Sequence, residues 1–536
     1  MNNRSLGRLF SRGAGSSAIR ERAVFAASLL AIHIAGAQAA PILLDPGLDV
    51  RTVASGLSQP VGTAFTGVND MFVIEKASGR VNRIVGGVNQ GAVLDLAVNS
   101  NSERGLLSIA LSPTFATDSA VYLYWTESST GTDSTVVANT PLLGNRVDRF
   151  LWNSGTGTLS FDQNIIRLRA RQTDNVAVPG HDGTQNTNEQ GNHNGGVLRF
   201  GPDGKLYVVI GDVGRRGWLQ NLPNGPFSSS PFGDDTFGGP QPDNAHATGA
   251  VLRLNPDGTT PVDNPFFAAG AALGGEAGAN VQKLYAYGIR NSFGMTFDPV
   301  AGQLWISENG DDAFDELNRV APGMNGGWVQ IMGPLDRITE YKAIEMASAG
   351  GLQQARWDPT NIADNAADAL SRTLALPGST YSDPEFSWKY AVAPAAIGFL
   401  AGGALGPVYN GNLFVGASRT TLDEGYLFRF VLDGARNGID TSADVRLADL
   451  VADNGAKFDG TESETLRFGT GFGVVTDIGT GPNGNLFLTS ITNGAIYEIY
   501  RTAVVPEPGV IALLGLGLAG LVSLRRRANL PTTRTA

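Results

Sequence analysis

Six short stretches of the chain share one pattern of apolar and polar positions. Each has a small or aromatic residue, a turn of Pro, Asp, Asn or Gly, and then a short apolar run with an aromatic in it. They are FTGVNDMFVIEKASG from 65, LSPTFATDSAVYLYWT from 111, FGPDGKLYVVIGDVG from 200, FDPVAGQLWISENG from 297, YNGNLFVGAS from 409 and TGPNGNLFLTSITNG from 480. Asp-Gly and Asn-Gly accept the positive φ that tight hairpins require. The runs after them alternate or stay apolar and favour Val, Ile, Tyr, Phe and Trp, which predicts strands. Six copies of one turn-and-strand unit predict an all-β, six-bladed propeller. The copies are unevenly spaced, so loops are inserted. The segment 339–372 reads as partly helical, and 215–245 is Gly/Pro-rich and aperiodic. Insertions on one face of a repeat fold often carry binding.

The two ends follow other patterns. Arg4, Arg8, Arg12, Arg20 and Arg22 precede the apolar run AVFAASLLAIHIAGA (23–37), and Ala37-Gln38-Ala39 has the form of a cleavage site. This is the pattern of a secretory signal peptide over 1–39. At the other end, Val505-Pro506-Glu507-Pro508 is followed by an apolar stretch, Gly509 to Leu524, and by Arg525, Arg526 and Arg527. That order resembles the PEP-CTERM sorting signal. The resemblance implies export, processing near the Pro-Glu-Pro by the protease of that sorting system, and delivery to the cell surface or extracellular matrix. A transient membrane anchor before processing goes with it. The domain reading is therefore a signal peptide (1–39), a propeller (40–503) and a sorting tail (504–536).

The chain has 536 residues, 70 Gly and no Cys. Without Cys there is no disulfide, no thiolate nucleophile and no Cys-held zinc or iron–sulfur centre. Formal charge is −11 although both ends are basic, so the body between them is more acidic than the whole. An acidic exported body argues against nucleic acid as a partner. It suits cations and neutral ligands such as sugars.

There are four histidines: His33, His181, His193 and His246. His33 lies in the signal segment, and His181 and His246 read as surface residues of Gly-rich loops. His193, in GNHNGGVLRF, stands at a strand entrance, where a propeller would turn it toward a central channel. An imidazole is the usual general base at neutral pH.

From about 50 to 500 the chain resembles the soluble glucose/sorbosone dehydrogenases that use pyrroloquinoline quinone (PQQ). The motifs occur in family order: SGLSQPVGTAF (55–65), FVIEKASGRV (72–81), ERGLLSIALSPTF (103–115), NHNGGVLRFGPDGKLYVVIGD (192–212), GAVLRLNPDGTTPVDNPF (249–266), YAYGIRNSFGMTFDP (285–299) and SENGDDAFDELNRV (307–320). The resemblance implies a six-bladed propeller that oxidises a sugar or related alcohol or aldehyde by hydride transfer to PQQ, with calcium as Lewis acid. Carried over residue by residue, His193 is the base and Glu103 a polar neighbour. Arg290 and Asn291 contact PQQ, as does Arg419, where the sugar dehydrogenases have Lys. The carbonyls of Gly310 and Asp311 face calcium, and Glu316 falls on a nearby acidic position. An acidic, Gly-containing loop suits a hard cation.

The chain departs from the family in two places. Gly326 stands where Tyr is frequent. Val474 and Thr476, in FGVVTDIGTGPNG, stand where the family has two arginines of an Arg-x-Arg-Asp run, and only Asp477 remains. PQQ is a tri-acid, and losing two charge-assisted partners costs on the order of several kcal/mol. Arg467 or the pair Arg215-Arg216 are the candidates to compensate. The alternative function is a non-catalytic, surface-displayed propeller that binds glycan or protein. A propeller hydrolase is a weaker third reading, because only His193 is a well-placed base. Substrate and electron acceptor are not legible in the sequence.

Overall fold

In the computed structural model, residues 40–171, 192–213, 247–347 and 359–502 are described, with tail positions 518, 519, 521 and 525. The signal segment, His181, His246, Arg215, Arg216, the 215–245 insertion and the Pro-Glu-Pro motif lie outside the described residues.

The strands form six sheets. Each starts from an innermost strand: β1 (Pro60–Gly67), β2 (Leu106–Leu111), β3 (Val197–Phe200), β4 (Gly294–Phe297), β5 (Pro394–Phe399) and β6 (Val475–Thr480). Every innermost strand pairs antiparallel with the strand that follows it in the chain. The six sequence repeats fall on these six hairpins. Gly204 and Gly484 hold φ of +72° and +79° in two of the turns, a region open to glycine at little cost. Each inner strand packs against the next, β1 on β2 through β5 on β6, and β6 returns to β1. The chain is thus a closed all-β propeller around a central channel.

Closure uses both ends of the body. Leu48–Ala54 pairs antiparallel with Ala495–Arg501, so the first long strand is the outer edge of the last sheet. Apolar side chains from facing sheets interdigitate between them. Phe386 and Trp388 of the fourth sheet meet Phe428 and Phe430 of the fifth at centroid distances of 5.1–5.9 Å. All four are buried, and the Trp388 indole N–H donates to Ser463 Oγ at 2.8 Å. Burying a large apolar side chain contributes roughly 1.5–3 kcal/mol.

The 339–372 insertion contains two helices, α1 (Ile338–Ala347) and α2 (Ala366–Ser371). Ile338, Tyr341, Ile344 and Glu345 form the buried face of α1. This brings Glu345 against the loop before the third strand of the fourth sheet.

Candidate active site

A cavity of about 380 Å³ lies at the channel mouth. Residues at the N-terminal ends of all six inner strands line it, among them Val61, Leu107, Val197, Phe293, Ala395 and Thr476. The ring therefore gathers loops that are hundreds of residues apart in sequence.

His193 lines this cavity and is 5% exposed. Its backbone φ is +61°, and Gly195 and Gly196 follow it with positive φ. Gly196 holds φ of +95°, which favours glycine, and a Cβ there would also crowd Leu107 Cδ1 at 2.7 Å. Similar crowding holds at Gly211 on the neighbouring strand. A Cβ there would sit 2.5 Å from the His193 carbonyl oxygen and 2.8 Å from that of Arg290. The missing side chain allows the His193 and Arg290 segments to converge.

His193 Nδ1 lies 2.6 Å from Asp212 Oδ1. The other oxygen of Asp212 accepts from Trp328 Nε1 at 2.9 Å. A carboxylate only accepts, so Nδ1 carries a proton, and in the neutral imidazole the lone pair is on Nε2. The sequence reading missed both Asp212 and Trp328. Asp212 ends the motif YVVIGD, but only the β3 hairpin places it beside His193.

Glu103 joins two loops. Its Oε2 accepts from Asn194 N at 3.2 Å and from Asn291 Nδ2 at 3.3 Å. Its neighbour Arg104 is directed elsewhere, with Nε donating to Ala170 O at 2.8 Å. Arg290 is buried. Its guanidinium donates to Asn309 O at 2.7 Å and pairs with Asp311 at 3.3 Å. Burial works against its charge, but the carboxylates of Asp311, Asp212, Glu345 and Glu103 outweigh it and raise the pKa. Arg290 Nε and Asn291 Oδ1 are buried without a partner. An orphaned donor and an orphaned acceptor on two consecutive residues that line the cavity fit a bound polar ligand. Arg419 lines the same cavity, with its guanidinium carbon 5.4 Å from the Phe458 ring centre.

Gly310 and Asp311 also reach the cavity. Gly310 N donates to Asp315 Oδ1, and the Asp311 carbonyl accepts from Lys457 Nζ at 2.6 Å. An ammonium thus meets one of the two carbonyls expected to face calcium. The acidic groups here are Asp311, Asp312 and Glu345, whose oxygens lie within 4.8 Å of one another. Glu345 Oε1 accepts from Asp312 N and Ala313 N, while its buried Oε2 has no partner. Burial, with Asp311 nearby, pushes the Glu345 carboxyl up to about 8. An all-oxygen set with an unsatisfied carboxylate oxygen fits calcium.

Glu316 is not part of this wall. It points the opposite way from Asp315, as alternate strand residues do. It lies across from Glu308, accepts from Asn318 Nδ2 at 2.8 Å and Gly333 N at 2.5 Å, and is pushed up to about 7 mainly by burial. Asp315 faces the cavity instead. Arg467 is likewise displaced from the expected place: it pairs with Asp423 at 3.0 Å and does not line the cavity. Val474 and Thr476 do line it and bring no charge. Lys76, Arg199 and Lys457, which the sequence reading did not single out, supply further cations.

The glucose/sorbosone dehydrogenase family profile matches residues 57–368, more than half of the chain. The chain belongs to the glucose/sorbosone dehydrogenase family. Residues 504–527 match the PEP-CTERM protein-sorting motif, which implies export and surface association. Quinoprotein glucose dehydrogenase B of Acinetobacter calcoaceticus is 28% identical over 292 residues, 54% of this chain and 54% of that protein. The chain thus spans about half the length of that relative. An aldose sugar dehydrogenase of Escherichia coli is 24% identical over 84% of this chain and 92% of its own. Among solved structures, the apo aldose sugar dehydrogenase of Escherichia coli matches with a TM-score of 0.53 at 19% identity, covering 85% of this chain and all of that one. The PQQ-bound aldose sugar dehydrogenase of Streptomyces coelicolor matches with a TM-score of 0.50 at 24% identity, covering 86% of this chain and all of that one. These structural likenesses show the shared propeller fold. Among the described residues no helix is long and apolar enough to cross a membrane.

Proposed function

We propose that this family member is an exported, PQQ- and calcium-dependent dehydrogenase of a sugar or a related alcohol or aldehyde, with the six sheets serving as six blades. The observation that carries this reading is His193. Asp212 holds its Nδ1–H, so Nε2 is left to take a proton from a hydroxyl in the cavity that His193 lines. PQQ, when bound, supplies the two-electron hydride acceptor. Arg290, Asn291 and Arg419 hold the cofactor, and Asp311, Asp312 and Glu345, with the Gly310 carbonyl, hold calcium. Glu103 keeps the His193 and Asn291 loops in register. The sorting tail supports delivery to the cell surface or matrix, with processing of the anchor there.

The test is PQQ titration of the purified protein with calcium saturating, followed by dye reduction with a panel of sugars. One equivalent of PQQ with sugar-dependent reduction supports the reading. His193→Ala is expected to abolish turnover while PQQ still binds; full activity in that variant removes His193 as the base. The second reading, a non-catalytic propeller that binds glycan or protein, draws on the uncharged Val474 and Thr476 of the cavity wall. Glycan binding without PQQ uptake would select it.

A further inference from the structure

The wall that β6 gives to the cavity holds Val474, Thr476 and Asp477, with no cation. Asp477 is nevertheless neutralised. Its Oδ2 accepts from Thr63 N and Thr63 Oγ1 of β1 at 2.9 and 3.2 Å. Its Oδ1 accepts from Arg199 Nη2 at 2.7 Å. Arg199 belongs to β3, three places from β6 in the ring of six inner strands. The ion pair therefore spans the channel from opposite sides. Arg199 stands two positions into β3, which runs from the cavity mouth at Val197. It therefore lies deeper in the channel than the His193 loop.

A guanidinium has five N–H donors in a rigid fork. Arg199 uses Nη2 on Asp477 and Nη1 on the Leu198 carbonyl at 2.9 Å. Its side chain keeps 28% exposure and lines the cavity. A cation held by a carboxylate, with donors to spare and facing a cavity, can accept a second anion without reorganising.

We propose that Arg199 reaches across the channel to supply the positive charge that the β6 wall lacks, and that it holds a carboxylate of the quinone on that side. This rests on the PQQ reading above. Asp477 then acts as a positioning residue, fixing the guanidinium for the ligand.

The experiment is titration of the purified, calcium-saturated protein with PQQ and with its uncharged trimethyl ester, followed by fluorescence quenching over a series of salt concentrations. Arg199→Gln is expected to weaken PQQ at least 10-fold, to flatten the salt dependence of its binding, and to leave the ester unchanged. Adding Thr476→Arg to that variant is expected to restore most of the loss, because the charge returns from the opposite wall. Equal PQQ affinity and salt dependence in Arg199→Gln and the native protein would overturn the proposal. So would equal weakening of PQQ and ester, which marks a purely structural role. Should Arg199→Gln fail to fold by its melting curve, Arg199→Lys takes its place. Loss of PQQ affinity with the ester spared supports the guanidinium contact, and no difference refutes it. A native protein that binds no PQQ takes down the functional reading itself, and this inference with it.

Discussion

Asp212→Asn is the sharpest probe of the site, because Trp328 dictates how the new amide must turn. The native carboxylate accepts from His193 Nδ1 and from the Trp328 indole N–H. An asparagine has one accepting atom and one donating group. If its oxygen stays with Trp328, the NH2 faces His193 Nδ1. The imidazole must then carry its proton on Nε2, and the base is lost. If the amide flips, two donors face each other at Trp328. A buried unsatisfied donor costs about 1–3 kcal/mol, so the productive form is roughly 5- to 150-fold depleted. Removing the charge also weakens support of the imidazolium, by about 1 kcal/mol, or another fivefold. The combined expectation is a fall in kcat of roughly 25- to 750-fold. PQQ affinity should be little changed, since the substitution leaves the cations of the cavity in place.

Two assays check this. Dye-linked turnover in the PQQ- and calcium-loaded protein gives kcat and KM separately. Ring ¹⁵N shifts of His193 report its tautomer with no substrate present, and with four histidines in the chain the assignment is simple. Asp212→Asn should move the proton from Nδ1 to Nε2. Adding Trp328→Phe frees the amide to turn, so the double variant should regain part of the activity. Turnover within threefold of native in Asp212→Asn, or a proton still on Nδ1, would refute the reasoning.

Lys76 donates to the carbonyls of Ser100 and Ser102, and burial lowers its pKa to about 8. It is charged below that pH and neutral above, so PQQ affinity should fall as pH rises through 8; Lys76→Met should remove this step in titrations between pH 7 and 9. Gly211→Ala places a Cβ against two carbonyl oxygens and should cost about 1–3 kcal/mol of stability while loosening PQQ, read by denaturant melts and by titration. Trp388→Ala opens a cavity between the fourth and fifth sheets. It should cost about 3–5 kcal/mol in urea unfolding and leave the affinity of the remaining folded protein unchanged.

The architecture was written in local signals. Each repeat is a hairpin whose turn chemistry and strand period are visible within about 15 residues, and each maps to the same place in a different sheet. The His193 segment was legible for the same reason. What escaped was set by pairing across the ring. Asp212 is 19 residues from its partner, and Trp328 comes from a segment 116 residues beyond Asp212. Arg199 carries no local signal in the sequence; only the placement of β6 opposite β3 brings it to Asp477. The family resemblance places Glu316 on an acidic position near calcium, and nothing in the sequence points to its neighbour Asp315. Only the alternation of the folded strand shows that Asp315 faces the cavity and Glu316 the interior of the sheet stack. Arg467, proposed for the missing charge, proved to belong to Asp423.

The ring also fixes where the chain ends leave the body. The inner strands begin at the cavity, and β6 runs away from it. Leu486–Ser490 returns toward the cavity, and Ala495–Arg501 runs away again. Arg501 pairs with Leu48, so both ends of the propeller emerge together on the face opposite the cavity mouth. The sorting motif at 504–527 follows Arg501 closely in sequence. A body tethered through that end would present the cavity away from its attachment. The same strand pair closes the propeller, so the closing contact stands at the point of attachment. The last described contacts at that end are those of Thr502 with the Gly47 carbonyl, so processing beyond residue 503 leaves every described strand pair of the ring in place. Processing after Ala39 would likewise leave Ile42–Leu43, paired with Thr470 and Gly469, and Leu48–Ala54 in place. The described strand pairs and the cavity lining all lie between Ile42 and Arg501, outside both end segments.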